Sequence, residues 1–219
     1  MPDYLEDVAE IGGEVDALKH HNPDATFTSR GCIRKCGFCA VPKIEGDFRE
    51  LDRWEMKPII CDNNFLASSK RHFDRVIDSM KHLSAIDFQG IDARLLTDHH
   101  ANRFAELDCL LHLGWDDIRL EKAVVEAIAK LRRAGLPQPR IRVYVLMGYD
   151  DTPEQARYRL ESLKAMGIWP NPQRYNPLDA MKRDSYVAAT WTERELKRYM
   201  RYWARQRWFE HIPFDEYRG

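Results

Sequence analysis

Two rhythms of apolar and polar positions take turns along this chain. Short runs with strand character fall at residues 24–28, 58–62, 85–88, 109–113, 141–147 and about 173–175. The clearest is Ile141-Arg142-Val143-Tyr144-Val145-Leu146-Met147, rich in β-branched residues. Between the runs, apolar residues recur at helical spacing. Phe73, Val76, Ile77, Met80 and Leu83 share one face of a helix predicted over 69–83. Val124, Val125, Ile128 and Leu131 share one face of another over 122–134, which Gly135 and Pro137 terminate. Thr97 is placed to cap a helix. Thr152, Pro153 and Gln155 read as N-cap, first helical residue and capping-box partner of a helix that stops at Gly167.

Successive strand starts lie roughly 23–35 residues apart, the length that a strand–helix unit requires. Six parallel strands with right-handed crossovers predict an α/β fold, either an open (β/α)6 barrel or a doubly wound sheet. In both, function belongs at the carboxyl ends of the strands. Polar residues gather there: Asp62, Asn63 and Asn64 after the second strand, Gln89, Asp92 and Arg94 after the third, Trp115, Asp116 and Asp117 after the fourth, Gly148 and Tyr149 after the fifth, Tyr175 and Asn176 after the sixth.

Length changes the picture first. The chain has 219 residues, whereas a full eight-fold barrel takes about 250. Charge gives no footprint of a general nucleic-acid binder, because 34 Lys+Arg meet 35 Asp+Glu, though it leaves room for a local basic patch. No apolar run approaches the roughly 18 residues of a membrane span. The acidic start Met1-Pro2-Asp3-Tyr4-Leu5-Glu6-Asp7 lacks a signal-peptide core, so a cytoplasmic protein with no membrane partner is expected.

Cysteine placement changes it most. Of five cysteines, Cys32, Cys36 and Cys39 cluster with C-x3-C-x2-C spacing just after the first strand. Without a secretory signal a disulfide framework is not expected, and three close thiolates suit a metal centre. A closed zinc site takes four ligands, and iron–sulfur clusters ordinarily take four cysteines. Three ligands on a four-iron cluster leave one iron open, as catalysis needs. The alternative is a zinc site completed by one of the eight histidines, giving a non-catalytic metal-binding module that acts as a nucleic-acid or protein adaptor. Cys61 and Cys109 read as small core thiols.

With Phe38 before the last cysteine, the motif resembles the signature of the radical S-adenosylmethionine superfamily. The resemblance spans residues 24–178. It is closest to members reading as Ser29-Arg30-Gly31-Cys32, Cys36-Gly37-Phe38-Cys39-Ala40-Val41-Pro42 and Glu45-Gly46 do here. Asp62-Asn63-Asn64-Phe65, Gln89-Gly90-Ile91-Asp92-Ala93-Arg94-Leu95-Leu96 and Tyr144-Val145-Leu146-Met147-Gly148-Tyr149 extend it. It implies an open partial (β/α)6 TIM-like barrel with parallel strands over 24–178. An N-terminal extension over 1–23 would precede it, too short for the cobalamin domain of many relatives. A helical extension over 179–219 would pack on the barrel.

The resemblance further implies a [4Fe–4S] cluster on Cys32, Cys36 and Cys39, its open iron chelating S-adenosylmethionine. Asp62, Asn63 and Asn64 occupy the place that holds the methionine amine. Asn64 stands where a Glu is frequent, so the amine contact is expected to shift to Asp62. Arg94 would meet the methionine carboxylate, and Asp116 or Asp117 the ribose. Phe38, Met147 and Tyr175 would border the adenine. A one-electron reductant of flavodoxin or ferredoxin type would be the external partner. Reductive cleavage would give a 5′-deoxyadenosyl radical that takes hydrogen from an unknown substrate.

The segment 191–211 carries Arg194, Lys197, Arg198, Arg201, Arg205 and Arg207 against Glu193, Glu195 and Glu210, interleaved with aromatics. Leu196, Tyr199, Met200 and Trp203 share one face. The expectation is an amphipathic helix packed on the barrel with a solvated basic face. An anionic substrate is the alternative use of that face.

Overall fold

The computed structural model describes residues 17–218, so the expected extension over 1–23 lies outside the described residues through position 16. In chain order the elements are α1 (Ala17–His21), β1 (Ala25–Thr26), β2 (Ser29–Arg30), α2 (Val41–Ile44), β3 (Arg49–Glu50), β4 (Ile59–Ile60), α3 (Lys70–Met80), β5 (Ile86–Ile91) and α4 (Asp98–Phe104). There follow β6 (Cys109–Gly114), α5 (Glu121–Arg133), β7 (Ile141–Met147), α6 (Pro153–Ala165), β8 (Trp169–Arg174), α7 (Glu193–Trp203) and α8 (Gln206–His211).

Local signals set the helix boundaries. Ser69 caps α3 by accepting from the His72 N–H at 3.2 Å. Thr97, Thr152 and Thr192 each start a helix with a capping box, their partners being His100, Gln155 and Glu195. Each box satisfies two otherwise orphaned donors. Gly135, at φ +99°, ends α5 in the left-handed region that favours glycine.

Six strands form one parallel sheet in the order β1-β4-β5-β6-β7-β8. Chain order and spatial order agree throughout, with no reversal. A doubly wound sheet needs a reversal to switch faces, so this sheet is wound in one direction. Right-handed crossovers then place the connecting helices on one face. Among the described residues β1 and β8 do not pair, and the sheet is open.

The two faces differ because strand side chains alternate. On β7, Ile141, Val143, Val145 and Met147 are fully buried, whereas Arg142 is exposed and Tyr144 and Leu146 are half-buried. Register carries both rows across the sheet. Phe88, Leu111 and Val143 share the apolar face, and the buried sides of α3 to α6 belong to the same core cluster. Phe65, Phe73, Phe88 and Phe104 interlock there, with ring centroids 5.1–6.3 Å apart. Each such side chain contributes about 1.5–3 kcal/mol by leaving water. The opposite face carries Cys61, Asp87, Gln89, His112, Arg142, Tyr144 and Asn171.

The sixth strand begins at Trp169, earlier than the expected position near 173, because two prolines mask it. The Tyr175 N–H donates to the Met147 carbonyl at 2.9 Å. Odd-numbered residues of this strand therefore face β7, and the nitrogens of Pro170 and Pro172 face outward. Proline is tolerated in a strand where no ladder donor is needed.

The C-terminal segment fastens to the loop after β7. Asp151 is its anchor. Its carboxylate accepts from the Gly148 N–H at 2.8 Å and the Trp191 indole at 3.0 Å, and pairs with buried Arg159. Its carbonyl accepts from the Thr190 hydroxyl at 2.7 Å. The Tyr199 hydroxyl donates to the Pro153 carbonyl at 2.8 Å. Leu196, Tyr199, Tyr202 and Trp203 are buried and Met200 is half-buried, giving the amphipathic helix read from the sequence. Among the described residues no helix is long and apolar enough to cross a membrane.

Candidate functional site

The cysteine loop is closed at its base by a hairpin that the sequence did not show. β2 pairs antiparallel with β3, Ser29 opposite Glu50 and Arg30 opposite Arg49. Gly31, at φ +72°, turns the chain into the loop, where a Cβ would lie 2.2 Å from the Asp47 carbonyl oxygen. Glu45 pins this corner. Its Oε2 accepts from the Gly31 N–H at 2.9 Å and Asn63 Nδ2 at 2.8 Å, and pairs with Arg30 Nε at 3.0 Å.

The turn after β4 is held from beneath. Asp62, 1% exposed, accepts from the Thr28 N–H at 2.6 Å, the Thr28 hydroxyl at 2.5 Å and the Ser29 hydroxyl at 2.7 Å. Burial pushes its carboxyl up, and these donors pull it back. Asp62 thus ties the end of the first strand to the turn and has no free face for an amine. Gly90 lets the turn lie against β5, since a Cβ there would meet the Asp62 carbonyl oxygen at 2.0 Å.

A cavity of about 420 Å³ opens where these loops meet, a size proper to small-molecule sites. It brings together Cys32, Cys36, Cys39, Phe38, Asn63, Asn64, Arg94 and Asp116. Cys32 Sγ accepts from the Arg34 N–H at 3.3 Å and Asn64 Nδ2 at 3.6 Å. Burial pushes the Cys36 thiol up, and nearby Arg94 opposes this. Among the described residues, no three His, Cys, Asp or Glu side chains converge to hold a single metal ion.

Asp92 organises the far wall. It binds Arg94 through Nε at 2.7 Å and Nη2 at 3.0 Å, Arg34 Nε at 3.1 Å, and Asn64 Nδ2 at 3.3 Å. Burial would raise its carboxyl, yet the Arg94 contacts hold it below the usual range. Asn64 Oδ1 is buried and has no partner. Asp116, at the rim after β6, is pushed up to about 6 by burial, against the pull of Arg159 and Arg94.

Four expected site residues do not line the cavity: Asp62, Asp117, Met147 and Tyr175. Met147 is fully buried on the apolar face. Asp117 caps the turn before α5 and binds Arg119 through Nε at 2.9 Å. Tyr175 meets Tyr149 at 4.8 Å, and Tyr149 in turn meets Phe38 at 5.5 Å, so it reaches the loop only through a second ring. Conversely, Gln89, His112 and Tyr144 line the cavity from deeper strand positions. Of these, His112 and Tyr144 were not among the expected site residues. Their signal was a polar or amphipathic residue at alternate positions of an otherwise apolar strand.

No protein-family model, curated protein or solved structure matches the chain.

Proposed function

We propose that this chain is a radical S-adenosylmethionine enzyme built on an open partial (β/α)6 barrel, a reading that the one-way winding of its sheet supports. The observation that carries this is the meeting of three cysteines, from one loop at the carboxyl end of a parallel sheet, with the orphaned Asn64 oxygen in one cavity. Cys32, Cys36 and Cys39 would hold a [4Fe–4S] cluster. Each cysteine of such a cluster binds a different iron, so the thiols need not converge as they must around one zinc ion. That favours the cluster over the zinc module.

When bound, cluster and S-adenosylmethionine would supply a 5′-deoxyadenosyl radical for hydrogen abstraction, given an electron from a flavodoxin- or ferredoxin-type donor in the cytoplasm. The protein's part is to bind and orient. Asn64 Oδ1 is the free acceptor for the methionine amine, the role expected to shift to Asp62. Arg94 is fixed by Asp92 through two of its nitrogens and keeps donors for a carboxylate. Asp116 serves the ribose and Phe38 the adenine.

Anaerobic reconstitution should give about four irons per chain. Dithionite with S-adenosylmethionine should then yield 5′-deoxyadenosine. Cofactor cleavage by a Cys36→Ala variant, or colourless stoichiometric zinc in the purified protein, would sink this reading.

A further inference from the structure

Deeper along the strands, the polar face holds groups that the cofactor does not use. His112 lies four residues before Asp116, roughly 13 Å further down by the rise of an extended chain. It is 4% exposed, and its Nδ1 has no hydrogen-bond partner. Asp87 Oδ1 lies 3.0 Å from His112 Nε2 and holds the other side of the ring. Tyr144 stacks on the imidazole, with centroids 5.1 Å and planes 22° apart. Register sets Asn171 beside Tyr144, and its buried Nδ2 lacks an acceptor. His112 and Tyr144 line the cavity.

Buried polar groups are nearly always paired, because one left unpaired has given up its water with nothing in return. Unpaired atoms gathered on one face beneath a cavity are explained together if a bound molecule completes them. Their types define that molecule. With its Nε2–H turned to the Asp87 carboxylate, His112 presents Nδ1 as an acceptor, and Asn171 Nδ2 donates. The ligand must therefore both donate and accept. The Tyr144–His112 stack favours a planar ring. Asp87 below and Asp116 at the rim disfavour an anion. Of the cations lining the cavity, Arg94 is assigned to the cofactor's carboxylate and Arg34 pairs with Asp92 at 3.1 Å, while Arg142, level with His112, is exposed and outside the lining.

We propose that His112, Tyr144 and Asn171, with Asp87 fixing the imidazole, form the recognition floor for the substrate, an uncharged planar ring bearing N–H donors beside C=O acceptors. This deepens the radical-enzyme reading and rests on it only for what happens to the molecule once bound.

Uracil is a suitable probe of that chemistry. Its 1,3-dimethyl derivative lacks the N–H donors, and orotate adds a negative charge. Saturation-transfer NMR on the full chain without S-adenosylmethionine compares all three. Uracil should bind at millimolar concentration, and the other two should bind about ten-fold more weakly, the size of one lost hydrogen bond. Asp87→Asn and His112→Phe should each weaken uracil by a similar factor. Tyr158→Phe, at an exposed hydroxyl bonded to Glu121, should change nothing. Absence of uracil binding, equal binding of orotate, or unchanged binding in both floor variants overturns the proposal. Asp87→Asn is nearly isosteric and keeps the test readable if His112→Phe does not fold. Uracil binding without cofactor cleavage would overturn the radical reading and leave the floor standing. Cofactor cleavage without uracil binding would overturn the floor alone.

Discussion

The two faces of the sheet are made by the same strands, one residue apart, and they follow opposite rules. The face beneath the helices is apolar and filled; Phe88, Leu111 and Val143 have no exposed surface. The other face carries the His112–Asp87 pair and keeps His112 Nδ1 and Asn171 Nδ2 without partners. A sheet wound in one direction has helices to cover only one side, and the uncovered side is free to carry polar groups. The difference teaches where stability and chemistry reside in this molecule. Stability lies under the helices, and the chemistry proposed for the molecule faces away from them.

Substitutions can break this contrast. The largest effect is expected from Phe88→Ala, which empties a site packed by Phe65 and Phe104. It should destabilise the protein by about 3–5 kcal/mol, read from urea unfolding. At the rim between the faces, Asp116 carries a carboxyl raised to about 6. A raised acid stabilises the fold while protonated, fully so below its unfolded pKa near 4, and loses that contribution as pH rises through about 6. Asp116→Asn should therefore exceed the wild type at pH 8 by about 2 kcal/mol, with the gap closing towards pH 4. Thermal melts at a series of pH values check this, and a gap that widens on acidification contradicts it. Thr152→Ala, which removes the cap of α6, should cost about 1 kcal/mol by the same melts. The smallest effect is expected on the polar face. His112→Leu removes the unpartnered Nδ1 but also strips Asp87 of its contact at 3.0 Å; gain and loss offset, and stability should change by no more than about 0.5 kcal/mol, in either direction. If it costs as much as Phe88→Ala, the two faces are equivalent and the contrast fails.

Much of the framework was legible in the sequence because it rests on local signals. The caps at Thr97 and Thr152, the apolar stripe of α3 and the alternation in β7 are all fixed by neighbouring residues. The cysteine loop was legible from spacing alone. What escaped depends on distant partners. The β2–β3 hairpin pairs two-residue strands across the whole cysteine loop. Asp62 resembles a ligand-binding acid until Thr28 and Ser29, from another strand, occupy both its oxygens. Met147 shows the reverse case. Its parity with Ile141, Val143 and Val145 already assigned it to the buried face, and the motif around it drew it towards the cofactor instead. Strand parity, carried across the sheet, would also have placed Tyr144 on the cavity side.

The outer edge of β8 has a consequence for the molecule among its own copies. An unpaired parallel edge is a template on which another chain can add a strand. Here Pro170 and Pro172 remove two of the donors that such a newcomer would use. The opposite edge, β1, offers only Ala25 and Thr26. An open sheet of this kind is thereby protected along both margins from growing sideways into fibrils. Restoring the donors, as in a Pro170→Val, Pro172→Val double substitution, should turn that margin adhesive and make concentrated solutions scatter light.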